Sequence, residues 1–375
     1  MGRFFAGTII LAAIISTTGA DVGFSTTFVN LKNRFVRKRP PANPTQHQID
    51  LSLDSRFKVD SLDKVLRQGS FYSSQGKIKV GKLLGSGAFG KVYEGWLKRS
   101  DGTYDHVAVK FQKPLFGPFD PAVPMPLHYA EIEHEFAIME RMQSYDGFVR
   151  VFAPNYSGNW KYFIMDYIGQ DVDTMRGLRP PKFRLKPVMG LEIARQILNR
   201  IRAVHAEGYV VYDIHPGNFL VDDRNKVYMV DLAFAYPYKN KDGTHIKLTK
   251  APFVYTNMRL RPLASRREES GDISSRMDDI ERFLFMLVMI LKGALPWESV
   301  RGVQQAREMK LNMSPDQLCE SVRLTWLAPV LEFVYALPFD ADPPYKYIDE
   351  TLNYALENAK KLERKQKRAE RNKKR

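Results

Sequence analysis

The hydrophobic and polar positions change period along the chain. From about residue 75 the pattern alternates: Lys77 to Trp96 reads as two strands around a glycine turn, and His106 to Gln112 as a third. Between Tyr129 and Met142 the period becomes helical, with Ile132, Phe136, Met139 and Met142 on one face. Val149 to Phe152 and Tyr162 to Ile168 read as two more strands. Gly190 to His205, with Ile193, Ile197, Ile201 and Val204 on one face, and Met277 to Leu291 read as buried helices. A small strand-rich section therefore precedes a larger helical one.

The first residues differ in texture. Arg3 is followed by an apolar run from Phe4 to Ile15 and by the small residues Ser16 to Ala20, the pattern of a secretory signal peptide cleaved after Ala20. The run falls short of the ~20 residues a spanning helix needs; an uncleaved signal anchor is the alternative. Residues 21–74 read as a basic targeting segment or linker, its first part rich in Ser, Thr and Asn and ending in Pro40-Pro41-Ala42-Asn43-Pro44. Behind a signal peptide such a stretch also resembles the second half of a bipartite address for secondary plastids. The destinations this leaves are secretion, a secretory organelle or a plastid.

Charge sharpens this division. The 375 residues carry 57 Lys+Arg against 42 Asp+Glu, a net charge of +15. Residues 1–47 contribute +5 and residues 360–375 contribute +8, which leaves +2 for everything between. A nearly neutral core disfavours a long nucleic-acid groove there. The basic tail over 356–375 could meet anionic lipid, nucleic acid or an acidic partner. Cys319 is the sole cysteine, which excludes an intramolecular disulfide and any multi-cysteine metal site. Asn155-Tyr156-Ser157 and Asn312-Met313-Ser314 are glycosylation sequons of small weight.

The candidate chemistry lies in four places. Gly85-Ser86-Gly87-Ala88-Phe89-Gly90-Lys91-Val92 joins two strands, and its glycines let backbone N–H groups approach an anion. The strand that follows argues against a dinucleotide fold, where the same glycines open a helix. Strand alternation puts Ala108 and Lys110 on one face, where a buried lysine needs phosphate or carboxylate. Glu135 is one partner for it, with Glu131 and Glu133 as rivals that helix phase alone does not eliminate. Asp213 and Asn218 lie five apart in Tyr212-Asp213-Ile214-His215-Pro216-Gly217-Asn218, and Asp231 follows a short strand. Such oxygen donors beside a phosphate cradle suit Mg²⁺.

In this order the set resembles the eukaryotic protein kinases. It is most similar to the casein kinase one and vaccinia-related group through Asp213 to Leu220, Ser275 to Glu281 with Leu295-Pro296-Trp297, and Leu337 to Ile348. The resemblance implies an α+β, bilobal protein-kinase-like fold over 75–355: a small antiparallel lobe with one helix (75–168) and a mainly helical lobe (169–355). Gly85, Ser86, Gly87, Ala88, Phe89, Gly90 and Val92 would cover ATP, with Ala108 above the adenine, Met165 as gatekeeper and Asp166 to Ile168 as hinge. Lys110 would bind phosphates and pair with Glu135, which the family alignment selects. Asp213 would accept the substrate proton, Asn218 and Asp231 would hold Mg²⁺ (or Mn²⁺), and Asp279 would tie the catalytic loop to the large lobe.

Three departures stand out. Val211-Tyr212-Asp213 replaces His-Arg-Asp, so a phosphorylated activation loop loses its usual anchor. His215 stands where the family has a lysine near the transferring phosphate, and imidazole is mostly neutral at pH 7, with an ordinary pKa of about 6.5. Asp231-Leu232-Ala233 replaces Asp-Phe-Gly, and alanine disfavours the positive φ that flipping would need. The expectation is a monomeric Ser/Thr protein kinase. Its alternative is a pseudokinase, a nucleotide-binding scaffold with little transfer. Arg259, Arg261, Arg266 and Arg267 are candidates for selecting an acidic or already phosphorylated protein substrate.

Overall fold

The computed structural model describes residues 10–13, 62, 65–66, 71–87, 90–112, 132–158, 160–177, 184–251, 254–257 and 261–373. The expected signal peptide, apart from β1 (Ile10–Ala13), and residues 21–47 lie outside the described residues. Two lobes follow in chain order, giving the bilobal α+β fold that the sequence pattern implies.

The small lobe is built on β2 (Phe71–Ser73), β3 (Gly76–Ser86), β4 (Gly90–Lys98), β5 (Tyr104–Gln112), β6 (Val151–Ser157) and β7 (Trp160–Asp166), with α1 (Ile132–Met142) inserted after β5. These strands form one antiparallel sheet in the order β2-β3-β4-β5-β7-β6. Alternation decides its two faces. Val107, Val109, Phe111, Tyr162 and Ile164 form one apolar cluster with Leu62 and Val65, whereas Ala108, Phe163 and Met165 face α1 and join the core of the large lobe.

The sheet starts earlier than the alternation suggested. Phe71 lies before the expected boundary at about 75, yet its ring packs edge-on against Phe111 at 5.3 Å and Tyr162 at 5.5 Å. The Tyr162 hydroxyl donates to the Tyr72 carbonyl at 2.9 Å and accepts from the Tyr72 amide at 3.0 Å. Three residues are too few for a period to be read, so only the partner strand reveals β2.

The large lobe comprises β8 (Gln170–Asp171), α2 (Val172–Arg176), α3 (Pro187–Ala206), β9 (Tyr209–Val210), β10 (Phe219–Val221), β11 (Val227–Met229), β12 (Tyr236–Pro237), β13 (Val254–Asn257), α4 (Arg266–Glu269), α5 (Arg276–Lys292), α6 (Val303–Asn312), α7 (Pro315–Ser321), α8 (Ala328–Ala336) and α9 (Tyr345–Lys373). β13 pairs antiparallel with β1, and β10 lies between β11 and β8.

Local chemistry sets the helix ends. Pro187 opens α3, where a missing N–H costs nothing. Ser275 and Asp278 form a capping box that starts α5, and Gly293 ends it at φ +102°. Ile280, Phe283, Leu284, Phe285, Met286 and Leu287 are fully buried, so α5 is surrounded by its neighbours and forms the axis of the lobe. Helix α9 crosses the expected boundary at 355: Ile348, Leu352, Ala355 and Leu356 are buried, while nearly all of residues 360–373 are exposed.

Candidate active site

The glycine loop is a hairpin between β3 and β4, closed by the Gly87 amide donating to the Gly90 carbonyl at 2.9 Å. Its glycines serve different ends. A Cβ at Gly90 would lie 2.2 Å from the Phe111 carbonyl oxygen, so this glycine permits β4 to approach β5. A Cβ at Gly85 would meet nothing within 4 Å, so packing does not require glycine there. Ser86 ends β3, whereas Ala88 and Phe89 lie outside the described residues.

Register brings together the sheet residues expected to face a nucleotide. Val92 pairs with Lys110, and Ala108 with Met165, so Val92, Ala108 and Met165 share an apolar ceiling with the lysine beyond it. Asp166 ends β7, and Tyr167 and Ile168 follow outside the strand, which stops short of the expected Ile168. The Tyr167 amide donates back to the His106 carbonyl at 3.4 Å.

Lys110 is almost fully buried and is satisfied twice: its ammonium lies 2.7 Å from the Glu135 carboxylate and 3.0 Å from Asp231 Oδ1. Glu135 is therefore the partner rather than Glu133, and Glu131 lies outside the described residues. Glu133 instead faces outward and holds Lys161 at 2.9 Å and the Tyr156 hydroxyl at 2.9 Å. Burial would lower the Lys110 pKa, but Asp231 and Glu135 together raise it, so the cation persists. Burial also pushes the Glu135 carboxyl up to about 7, with Lys110 opposing and the negative Asp231 adding to the rise. Both shifts run upward, which favours the charged lysine and opposes the charged carboxylate. The 2.7 Å contact argues for a charged pair, strained by the second carboxylate.

The catalytic loop is held from below. Asp279, with no exposed surface, accepts from the Val211 amide at 2.6 Å, the Tyr212 amide at 2.9 Å and His205 Nε2 at 2.9 Å. Tyr212 sits at φ +67°, a strained conformation those bonds over-determine. Asp213 follows, and its carbonyl accepts from Asn218 Nδ2 at 2.9 Å. That bond orients the Asn218 amide so that its oxygen is the end left for a cation.

His215 lies beside the Asp213 carboxylate, Nε2 to Oδ2 being 3.7 Å, and its Nδ1 accepts from the Gly217 amide at 3.2 Å. The proton of the neutral ring is thereby on Nε2, toward Asp213. Burial would lower the His215 pKa, but Asp213, Asp231 and Asp173 raise it above its ordinary value. The Gly217 amide opposes a second proton on Nδ1. The net direction is upward, so charge is retained to higher pH than in a free histidine. Burial likewise would raise Asp213, yet His215, Arg282 and Asn218 hold it below the usual range.

Asp231 has φ +60°, and the positive φ falls there rather than on Ala233, which is buried with Leu232. Leu232, Met139 and Val211 belong to the same apolar core. His134 Nε2 lies 2.7 Å from the Ala235 carbonyl and so ties α1 to this segment.

Among the described residues no group of three His, Cys, Asp or Glu could hold a metal alone. Asn218 and the 38% exposed Asp231 side chain supply two hard oxygen donors, which fits a Mg²⁺ that arrives with phosphate oxygens and water. Sequence reasoning missed Tyr212, His134, Glu268 and Arg282 as supports, because their partners are 56 or more residues away or, for Glu268 and Arg282, on adjoining helices. It also offered Arg266 and Arg267, with Arg259 and Arg261, as a basic cluster near the substrate side that could select an acidic substrate, a solvated loop being the alternative. Arg266 lies over the Tyr335 ring at 3.1 Å and pairs with Glu281, and Arg267 pairs with Asp278. The Arg259 and Arg261 side chains lie outside the described residues.

A β-sheet lobe over a helical lobe, with a lysine–glutamate pair above a carboxylate-bearing loop, is the bilobal architecture of the protein kinases. Residues 78–257 match the family model described as Protein kinase domain. That match spans 180 of the 375 residues, and within it the fold and the lysine–glutamate pair are similar to those of protein kinase domains.

Proposed function

We propose that the protein is an active, monomeric Ser/Thr protein kinase of the casein kinase one-like type, using ATP and Mg²⁺. The observation that carries the reading is the assembled set of charges: Lys110 bonded to both Glu135 and Asp231, above Asp213 and Asn218 fixed to each other. When bound, ATP with its metal supplies the transferable phosphoryl group and neutralises its charge. Lys110 orients the phosphates, and Asn218 and Asp231 hold the metal. The hydroxyl proton of the protein substrate passes to Asp213, which stays ionised because its carboxyl is held below the usual range. His215 supplies positive charge beside that carboxylate.

The scaffold reading keeps one supporting observation: the His215 N–H faces Asp213 and competes for the base. Incubating the full chain with labelled ATP, Mg²⁺ and an acidic protein beside Lys110→Met and Asp231→Asn separates the two. Transfer by wild type, lost in both variants, supports the enzyme; ATP binding without transfer supports the scaffold. Preference for acidic or phosphorylated substrates would rest on Arg259 and Arg261, since Arg266 and Arg267 are committed. Entry into the secretory pathway rests on residues 1–20. Among the described residues no helix is long and apolar enough to cross a membrane.

A further inference from the structure

We propose that Glu268 is a built-in anion that positions the catalytic loop, acting through Tyr212 and Arg282 in place of any added phosphate. This rests on the kinase reading above.

Helix α4 has only four residues, Arg266-Arg267-Glu268-Glu269, and each is paired with opposite charge on a neighbouring helix. Arg266 meets Glu281, Arg267 meets Asp278 and Glu268 meets Arg282 on α5, while Glu269 meets Lys310 on α6. Such a segment is fixed by the polypeptide itself.

Glu268 alone among the four also reaches the catalytic loop. One of its carboxylate oxygens takes Arg282 at 2.5 Å and the other accepts from the Tyr212 hydroxyl at 3.2 Å. Arg282 lies over the Tyr212 ring at 4.6 Å and also touches Asp279 at 3.3 Å. Asp279 in turn holds the Tyr212 amide. Tyr212 is thus clamped at its backbone by one carboxylate and at its hydroxyl by another, with one guanidinium bridging both acids. Asp213 is the next residue, so the clamp sets where the base stands. Burial would weaken the Arg282 charge, but Glu268 and Asp279 keep it.

Arg282 has one charge for two carboxylates, so Glu268 saturates the place a phosphate would seek. An added phosphate would find no free cation in this network.

The test compares wild-type full chain with Tyr212→Phe and Glu268→Gln by hydrogen exchange, and by kcat and KM for ATP. Tyr212→Phe removes one hydroxyl and leaves the Glu268–Arg282 pair intact, which keeps the comparison interpretable if Glu268→Gln folds poorly. The expected result is exchange over residues 210–218 faster by about tenfold with little change in melting, since a net hydrogen bond is worth roughly that factor. kcat should fall similarly at constant KM for ATP, and phosphatase treatment of wild type should leave kcat unchanged. Wild-type exchange over 210–218 in Tyr212→Phe would overturn the proposal, as would phosphatase-sensitive activity. A wild type without phosphotransfer would defeat the kinase reading, while the exchange comparison would still decide the clamp.

Discussion

Replacing Asp279 by asparagine tests how the large lobe holds the catalytic loop. The side chain is wholly buried and accepts from two amides and an imidazole at 2.6 to 2.9 Å, with Arg282 at 3.3 Å. Oδ2 serves Val211 and His205, and Oδ1 serves Tyr212 and Arg282. Asparagine keeps the shape but has one oxygen. In one orientation its NH₂ group faces the Tyr212 amide and Arg282; in the other it faces the Val211 amide, and His205 can accept only by moving its proton to Nδ1 beside the Tyr345 hydroxyl. Each hydrogen bond to a buried charge is worth roughly 1.5–3 kcal/mol. Arg282 retains Glu268, which offsets part of the loss, so the net destabilisation should be about 3–5 kcal/mol. That is a large share of the ~5–15 kcal/mol typical of a domain. Urea unfolding at neutral pH should show a lower midpoint with an unchanged slope, and exchange at Val211 and Tyr212 should rise first. A variant within about 1 kcal/mol of wild type would refute the reasoning, because a donor-facing amide cannot be that cheap.

Other outcomes follow from the same geometry. His215 has a raised pKa and is charged below it, so the wild-type rate should fall as pH rises through that value, above the ordinary ~6.5. His215→Lys should flatten this limb, and an unchanged rate profile would remove the charge from the mechanism. Gly90→Ala should destabilise the small lobe by more than 1 kcal/mol, its Cβ meeting backbone at 2.2 Å, whereas Gly85→Ala should keep the melting temperature and weaken ATP binding in calorimetry. Removing residues 360–375 should leave melting nearly unchanged, because the side chains there are almost all exposed. The same truncation should abolish salt-sensitive retention on heparin, and persistent retention would place the anion-binding surface elsewhere.

Local pattern predicts a strand-rich section followed by a helical one, and the resemblance adds the two lobes and the cleft. Period two over His106 to Gln112 is local, so it places Ala108 and Lys110 on one face without knowledge of any partner, and the register of β5 bears this out. The burial of α3 and α5 was equally legible from apolar spacing, and the order of glycine loop, lysine, aspartates and asparagine carried the chemistry. Helix phase left Glu135 and its neighbours open for Lys110; the resemblance favoured Glu135, and the fold separates it from Glu133, which turns to Lys161 and Tyr156 instead. The fold also sets the direction for His215, whose pKa burial would lower and Asp213 of its own loop, with Asp231 and Asp173 from other segments, raises. Arg266 and Arg267 looked available because sequence shows charge without showing its partners; α5 supplies them. Local pattern fixes which face a residue occupies, whereas electrostatics inside a fold depends on distances between segments remote in the chain.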